Sequence, residues 1–429
     1  MKKRIAALLA AAILTLSVAA CGTKTDGKTE AAVTSGVSAV SDGSTDSQSS
    51  DQQAAQPEKV TSIDNWTEDS PAMKSIIAFV SEVTDETSDK FLPAEKRIAV
   101  FDSDGTLYGE LFPTYVDQCL MIHRLVHDDT YKGNPEDVAY CTELEKALVN
   151  GTEKPKAPRS SGNIIADAFK GMTVEDYREY VRKFLSQPVV GFENMTYADG
   201  YYKPMVSLIQ YLSDNGFKVY INSGAEVNML RELSMDTLGQ WVPSYQVIGT
   251  RFGITAEGKS DDVKARDYTP AADEKIVFDG SVEFKNLMLN KVVSIINDIG
   301  TCPVLAFGNS SGDLAMGQYV MQHGGKAYML LCDDLDRDHG NPDTAASFKA
   351  DCDKMGMESV SMKNEFATIY GDFKMTPYSQ TSEEASLRQH NLYRHLRTTK
   401  SKLSGCRKTM CFAAALFVVY RPESVKPNF

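Results

Sequence analysis

Asp102 and Asp104 stand two positions apart, directly after the short apolar run 98–101. If that run is a strand, both carboxylates leave its end on the same side. Gly105 then permits a sharp turn, and the exposed backbone N–H groups of such a turn can bind an anion. One carboxylate could attack a phosphorus atom while the other handles the proton of the leaving group.

Two other interpretations of this stretch compete with phosphoryl chemistry. A calcium loop of the EF-hand type would begin at Val100 and would require glutamate where the chain has Leu111, so that register fails. The second is a polar turn whose acids only cap a helix, and this stretch taken alone does not exclude it.

Three further stretches carry polar residues that suit the same chemistry, although each is weak alone. Ser223-Gly224 follows a second apolar run and would by itself be a turn or a helix cap. Lys291 stands in a segment with helical spacing, where a solvated surface lysine is the ordinary interpretation. Asn309 and Asp313 follow a third apolar run. Oxygen donors from separate strand ends, with no His or Cys cluster, favour a hard cation such as Mg²⁺.

The elements that would position these residues alternate along the chain. Apolar spacing predicts helices over 71–83, 205–212 and 287–299, buried strands over 98–101, 217–221, 303–307 and 326–331, and a small hairpin over 245–254 and 275–278. Such alternation is typical of an α/β fold with a doubly wound parallel sheet, whose sites lie beyond the carboxyl ends of the strands. Between positions 107 and 199 the pattern changes to helices over 116–126, 138–149 and 174–185, which predicts a mainly helical insertion.

The order and setting of the four stretches resemble the haloacid dehalogenase (HAD) superfamily of phosphatases, over roughly residues 98–370. Its four motifs correspond here to Asp102-Ser103-Asp104-Gly105-Thr106, Ser223, Lys291, and Gly308-Asn309 through Asp313. The long stretch before the second motif is similar to that of phosphoserine-phosphatase-like members, which carry a helical cap there. The resemblance implies a Rossmann-type doubly wound parallel sheet over 61–106 and 200–375, with the cap at 107–199.

The resemblance also implies a role for each motif residue. Asp102 would be the nucleophile that forms an aspartyl-phosphate, and Asp104 would protonate the leaving alcohol and then activate water. Mg²⁺ would be bound by the Asp102 side chain, the Asp104 backbone carbonyl and Asp313. Ser223 would hydrogen-bond a phosphoryl oxygen, and Lys291 would offset charge between Asp102 and the phosphate.

Further residues are implied around this centre. The motif residues assigned to substrate binding are Ser103, Gly105, Thr106, Gly224 and Asn309. Many family members have Asp at the last of these positions, so Asn309 removes one negative charge and could weaken Mg²⁺ binding. Lys291 is preferred over Lys285 because of its distance from the third strand. Residues at the edges of the cap are candidate substrate contacts, although a structural role is the simpler interpretation for each: Tyr108, Tyr115, His123, Arg124, Tyr201 and Tyr202.

The N-terminus predicts export. A basic start and an apolar stretch end in small residues before Cys21, which resembles the lipobox of bacterial lipoproteins, with Cys21 as the lipidated residue after a signal peptide at 1–21. A secreted protein without lipid is the alternative. Residues 22–60 are rich in Ser, Thr, Asp, Gln and Gly, a composition typical of a disordered tether. The chain would then be held at the membrane by its lipid, outside the cytoplasm.

Composition limits the function classes. The net charge of −13 argues against nucleic acid as the main partner, and eight cysteines without a CxxC pair argue against a zinc-finger array. A basic tail at 376–429 has uncertain structure, and contact with a membrane surface is one hypothesis for it. The sequence therefore predicts a Mg²⁺-dependent phosphatase that hydrolyses a small phosphomonoester. A phosphotransferase or mutase with the same intermediate, and a non-catalytic binding lipoprotein, are the alternatives.

Overall fold

The computed structural model of the chain describes residues 60–110, 113–259 and 268–376. The predicted signal peptide, lipidation site and nearly all of the tether lie outside these residues, as does the tail beyond Thr376. No helix in the described ranges combines the length and apolar character needed to cross a membrane.

Strands and helices alternate through most of these ranges. The strands are β1 (Ile98–Phe101), β2 (Phe192–Glu193), β3 (Lys218–Glu226), β4 (Val247–Ala256), β5 (Ile276–Phe284), β6 (Leu305–Gly308), β7 (Lys326–Leu331), β8 (Glu358–Ser361) and β9 (Lys374–Met375). The helices are α1 (Pro71–Thr84), α2 (Val116–Ile122), α3 (Pro135–Asn150), α4 (Ser161–Ala168), α5 (Val174–Leu185), α6 (Lys203–Asp214), α7 (Val227–Leu238), α8 (Leu289–Ser294), α9 (Leu314–Gln322), α10 (Pro342–Met355) and α11 (Met362–Glu365).

Seven strands form one sheet in the order β5-β4-β3-β1-β6-β7-β8. All neighbouring pairs are parallel except β4 and β5, which are antiparallel at one edge. Ala99 and Phe101 pack into a core cluster with α1 and α6, whereas Val100 packs on the opposite face with α9. β1 is covered on both faces, which explains why its sequence is continuously apolar. The predicted α/β class with a mostly parallel sheet is confirmed.

The register of β1 determines where its acidic residues emerge. Phe101 is paired with Ile221 of β3 on one side and with Phe307 of β6 on the other. The next backbone N–H, that of Asp102, donates to the Phe307 carbonyl at 2.9 Å. The carboxyl ends of three parallel strands therefore meet at one edge of the sheet, where the sequence predicts the site.

One strand end differs from the sequence prediction. Ser223 and Gly224 were expected to follow the second strand, but β3 continues to Glu226. The pairing of β3 with β4 is irregular between Asn222 and Glu226, so the backbone departs from the ladder at Ser223 while remaining extended. This irregularity has the character of a β-bulge, which re-aims side chains near the end of a strand.

The segment between β1 and α6 contains α2 to α5, as the helical spacing predicts for three of the four. The fourth, α4, is missing from the sequence prediction because it has eight residues and follows a loop rich in Lys and Pro. β5 contacts this segment through Phe278, whose carbonyl accepts from Gly171 N and whose N–H donates to the Met172 carbonyl, both at 2.9 Å. The division of the chain into core and cap stays a prediction.

A buried carboxyl group lies in the loop after β7. Asp338 is 2% exposed; its Oδ1 accepts from His339 N at 2.8 Å, and its Oδ2 accepts from the Tyr202 hydroxyl at 3.5 Å. Burial raises the pKa of Asp338 to about 7. Between about pH 4 and pH 7 the folded protein therefore holds a proton that the unfolded chain has released, and the stability from this group is lost as the pH rises.

We expect Asp338→Asn to remove this pH dependence, since the amide has the same shape and no charge. Relative to the wild type, the variant should gain about 2–4 kcal/mol in free energy of unfolding between about pH 4 and about pH 8, at about 1.4 kcal/mol per pKa unit. Urea unfolding of both proteins at each pH measures this. If the two proteins differ in free energy of unfolding by the same amount at both pH values, the interpretation of Asp338 as a buried, protonated carboxyl is contradicted.

Candidate active site

The loop after β1 is a tight turn closed by backbone hydrogen bonds. The Ser103 carbonyl accepts from the N–H groups of Thr106, Leu107 and Tyr108 at 2.8–3.0 Å. Gly105 has a φ of +75°, and a Cβ there would collide with the Asn309 side chain. Two independent constraints thus exclude a side chain at position 105: the backbone conformation and the neighbouring loop after β6. The turn holds Asp102 and Asp104 at the edge of the sheet.

The central feature of the site is a buried lysine between two buried carboxylates. Lys291 of α8 places its Nζ 2.5 Å from Oδ1 of Asp102 and 2.5 Å from Oδ1 of Asp313. Lys291 is 1% exposed, Asp102 6% and Asp313 0%. The three side chains come from α8, the end of β1 and the start of α9. The structure thus joins the first, third and fourth predicted motifs by direct ion pairs.

Asp313 also organises the loop that follows β6. Its Oδ2 accepts from the backbone N–H groups of Asn309 and Ser310 at 3.1 Å and from the Ser310 hydroxyl at 3.2 Å. Gly308 approaches this carboxylate so closely that a Cβ would meet it. With one oxygen paired to Lys291 and the other bonded to the loop, Asp313 connects loop conformation to the charge at the centre of the site.

The charges in this centre are strongly perturbed. Burial and the nearby Asp313 raise the pKa of Asp102 to about 7, against the opposing effect of Lys291. Burial and the carboxylates of Asp117, Asp102 and Glu110 raise the pKa of Asp104 well above its usual range. Burial lowers the pKa of Lys291, but Asp102 and Asp313 outweigh that effect and hold it above its ordinary value. The lysine is therefore charged, and the carboxylates exceed the cations near them.

The side chains surround a cavity of about 270 Å³. Of the predicted residues, those that line it are Asp102, Asp104, Ser223, Gly224, Lys291, Asn309 and Asp313. Ser103, Gly105 and Thr106 are absent from its lining and form the turn behind Asp104; their assignment to substrate binding stays a prediction. Lys285 also lines the cavity but bonds to the Gly224 carbonyl at 2.8 Å, so Lys291 holds the position between the carboxylates.

The cavity has a further wall that the motifs did not indicate. It consists of Glu110, Asp117, Gln118, Ser161, Ala225, Lys285 and Leu287, together with the candidate contact Tyr115. Several come from α2, the start of α4 and the loop before α2, elements whose position is determined by packing of the helical segment. Glu110 lies eight positions after Asp102, and its acidic side chain near the first motif was the only local sign that it could belong to the site. Of the other five candidates, Tyr108, Tyr201 and Tyr202 are buried in the core, and His123 and Arg124 are also absent from the cavity lining.

The hydrogen-bond partners of Asn309 account for an amide at this position. Its Nδ2 donates to Oε2 of Glu110 at 2.9 Å, and its Oδ1 accepts from the Thr106 hydroxyl at 3.3 Å. An aspartate at this position would face the Glu110 carboxylate without an intervening donor. The neutral amide of Asn309 is therefore compatible with the Glu110 carboxylate. The negative charge of this pair lies on Glu110, in the cavity wall, and not at position 309.

The donor set suits a hard cation. Among the described residues, no three His, Cys, Asp or Glu side chains form a ready ligand cluster, and Lys291 lies between Asp102 and Asp313. However, Oδ1 of Asp104 is buried without a hydrogen-bond partner, and the cavity carries more carboxylates than cations. Oxygen donors with excess negative charge are the environment that Mg²⁺ prefers. The chemistry of these oxygen donors fits Mg²⁺, and Asp102, the Asp104 carbonyl and Asp313 stay its predicted ligands.

Comparisons with known proteins identify distant structural likenesses. No family model and no curated protein matches the chain. A protein of unknown function from Anaerococcus prevotii is 15% identical, with a TM-score of 0.43 over 69% of this chain and 92% of that one. A cytosolic 5'-nucleotidase IIIB bound to cytidine is 12% identical, with a TM-score of 0.40 over 70% and 89%. A phosphoserine phosphohydrolase-like protein from Francisella tularensis is 14% identical, with a TM-score of 0.32 over 59% and 92%. Such scores establish neither family nor activity.

We expect Lys291→Met to destabilise the protein by about 3–5 kcal/mol, because it leaves two buried carboxylates without their shared cation. Urea unfolding in the presence of EDTA measures the loss without a contribution from bound metal. Lys285→Met is the matched control: Lys285 lines the same cavity but is exposed, and we expect a loss below about 1 kcal/mol. Equal losses in the two variants would contradict the central role of Lys291.

Proposed function

We propose that the protein is a Mg²⁺-dependent phosphatase of the HAD type, which hydrolyses a small phosphomonoester through an aspartyl-phosphate at Asp102. The observation that carries this proposal is the ion pairing of Lys291 with both Asp102 and Asp313, in a cavity that Asp104 and Ser223 also line. A nucleophile, a proton donor, a hydroxyl and a buried cation are the parts that phosphoryl transfer to a carboxylate requires.

In the first step, a carboxylate oxygen of Asp102 forms a bond to phosphorus while the bond from phosphorus to the leaving oxygen breaks. The leaving alkoxide takes a proton from Asp104. The raised pKa of Asp104 supports this role, since a carboxyl protonated near neutral pH can act as a general acid. Asp104 lines the cavity, and its buried Oδ1 has no hydrogen-bond partner among the described residues.

In the second step, Asp104 is a carboxylate and takes a proton from water. The water oxygen attacks phosphorus, the bond to the Asp102 oxygen breaks, and inorganic phosphate leaves. Asp102 returns as a carboxylate and Asp104 as a carboxylic acid, so the site is ready for another cycle. Two successive displacements at phosphorus thus require only these two carboxyl groups to change their bonds.

The neighbouring groups offset the charge of the phosphoryl group. Lys291 neutralises Asp102 and Asp313 in part, which lowers the repulsion that an approaching phosphate dianion would meet. Ser223 is 1% exposed, and its hydroxyl can donate to a phosphoryl oxygen. Mg²⁺, when bound, supplies further positive charge to the phosphoryl oxygens and the attacking carboxylate.

The purified full chain should hydrolyse p-nitrophenyl phosphate in Mg²⁺ and lose this activity in EDTA. We expect Asp102→Asn to abolish turnover, because the amide cannot form the acyl-phosphate, and Asp104→Asn to reduce kcat by about 10²–10⁴-fold through loss of proton transfer. Asp236→Asn, on the exposed face of α7, is the matched control. Wild-type activity in Asp102→Asn, or no activity in the wild type, would contradict the proposal.

The same assay separates the alternative reactions. A phosphotransferase or mutase would move the phosphoryl group to an added alcohol, so phosphorylated glycerol would form at the expense of inorganic phosphate. A non-catalytic binding protein would bind phosphate without turnover. The complete Asp102/Asp104 pair favours hydrolysis over binding alone.

We also propose, from the sequence before the described residues, that the chain is exported and lipidated at Cys21. Such a site would place phosphoester hydrolysis outside the cytoplasm, at the membrane surface. Cys21→Ser should prevent incorporation of labelled palmitate when the full chain is expressed in a bacterium, and should move the protein out of the membrane fraction. Cys302→Ser is the control. Lipid incorporation that persists in Cys21→Ser would overturn this assignment.

A further inference from the structure

Behind the cavity lies a buried network of amide and hydroxyl groups that belongs to none of the four motifs. Its members Asn222, Thr250, Asn286 and Ser294 are at most 2% exposed. They come from β3, β4, the loop after β5 and α8. The network therefore connects four segments at the end of the sheet where the site lies.

Asn286 is the centre of this network. Its Nδ2 donates to Oδ1 of Asn222 at 2.7 Å and to the carbonyl of Ser223 at 2.9 Å. Its Oδ1 accepts from the Ser294 hydroxyl at 2.8 Å, and its backbone N–H donates to Oγ1 of Thr250 at 3.2 Å. All its side-chain contacts lead to other buried polar groups, which is the condition under which such a network is stable.

The network ends on two of the proposed phosphate-binding residues. Asn222 donates through Nδ2 to the backbone carbonyl of Lys291 at 3.0 Å. The Thr250 hydroxyl donates to the Gly224 carbonyl at 2.6 Å, next to Ser223. Asn286 thus connects to Ser223 directly and to Lys291 through one side chain. These contacts hold the backbone of β3 and the backbone of α8 at a fixed separation.

The chemistry of the partners fixes the direction of each amide. A backbone carbonyl only accepts, so Asn222 must turn its Nδ2 toward Lys291 and its Oδ1 toward Asn286. Asn286 then faces two acceptors and must present its Nδ2 to both. The Ser294 hydroxyl satisfies the remaining Oδ1. No member can reverse without placing two acceptors against each other.

Apolar packing supports the Lys291 segment only after the lysine: Val292 and Ile295 are buried, whereas the residues at the start of α8 are exposed. α8 has six residues, and Leu287, Met288 and Leu289 at its start are 40%, 50% and 66% exposed. Met288 has a φ of +55°, in the region that favours glycine. Because the start of α8 is exposed and follows a residue with a positive φ, a polar constraint there helps to hold Lys291 in place.

We propose that Asn286 is a positioning residue for phosphate binding: its side-chain amide sets the placement of Ser223 relative to Lys291. This inference rests on the proposed phosphatase function, in which both residues face the phosphoryl group. Asn286 itself is absent from the cavity lining and acts through Ser223 and Asn222.

Asn286→Asp tests this with almost no change in shape. A carboxylate at this position would face Oδ1 of Asn222 and the Ser223 carbonyl, so the two segments should move apart. We expect kcat/KM for p-nitrophenyl phosphate to fall about 10²-fold, the scale of a small misplacement of binding groups. The inhibition constant of inorganic phosphate should rise at least about tenfold, as binding groups lose alignment.

Asn150→Asp is the matched control, because it introduces the same charge at an exposed residue at the end of α3. Asn150 lies outside both the network and the cavity lining. The inhibition constant of phosphate should stay within about twofold of the wild type. This constant does not depend on the folded fraction of the sample, so a purely structural loss in Asn286→Asp would lower total activity and leave it unchanged.

Three outcomes decide between the interpretations. A folded Asn286→Asp protein with the inhibition constant of Asn150→Asp would overturn the positioning role. If Asn286→Asp does not fold, Asn286→Ala replaces it, since that variant removes the contacts of the amide to Asn222 and Ser223 without adding a charge; an unchanged inhibition constant there overturns the role equally. A wild-type protein without hydrolysis or phosphate inhibition would instead overturn the proposed function, and this inference with it.

Discussion

The site depends on one ammonium group placed between two carboxylates in the interior of the protein. Removing three charges from water costs several kcal/mol for each ion, and close contacts are needed to recover that cost. Lys291 makes those contacts only if β1, α8 and α9 meet at the same point. The parallel register of β1 with β6 and the packing of α9 on the same face satisfy this requirement. The ion pairs therefore depend on the sheet, because only its register brings the three side chains together.

Much of this arrangement could be predicted from the sequence, because the determining features are local. β1, β6 and β7 are buried on both faces, so each is a short apolar run, and parallel strands place their following residues at one edge. Asp102 directly follows the run of β1, and Asp313 lies in the loop shortly after the run of β6. Lys291 was predictable only from the order of the motifs, since its own segment resembles a surface helix. Its burial results from contacts with residues distant in the sequence.

The remaining residues of the site were hidden for the same physical reason. Asp117 and Ser161 line the cavity because helices pack together in the segment between β1 and α6, and no local pattern records which helix face points to the sheet edge. The position of Ser223 within β3 depends on an irregular ladder with β4, which the composition of the strand does not reveal. Asn286 has no chemical signature at all, because an asparagine in a loop is ordinary and its importance lies in its partners.

The buried amide network shows why this site uses polar contacts where apolar packing would be simpler. Apolar side chains can slide against one another at small cost, whereas a donor that moves away from its acceptor in a dry interior loses a full hydrogen bond. The hydrogen bonds of Asn222 and Asn286 therefore define one distance between β3 and α8. The apolar side chains of Leu287 and Leu289 would be compatible with many distances. In the proposed reaction, a phosphoryl group would need that single distance, since Ser223 and Lys291 would contact it from opposite sides. The strained φ of Met288 is tolerated in this view because the network at the other side of the loop holds the helix start in place.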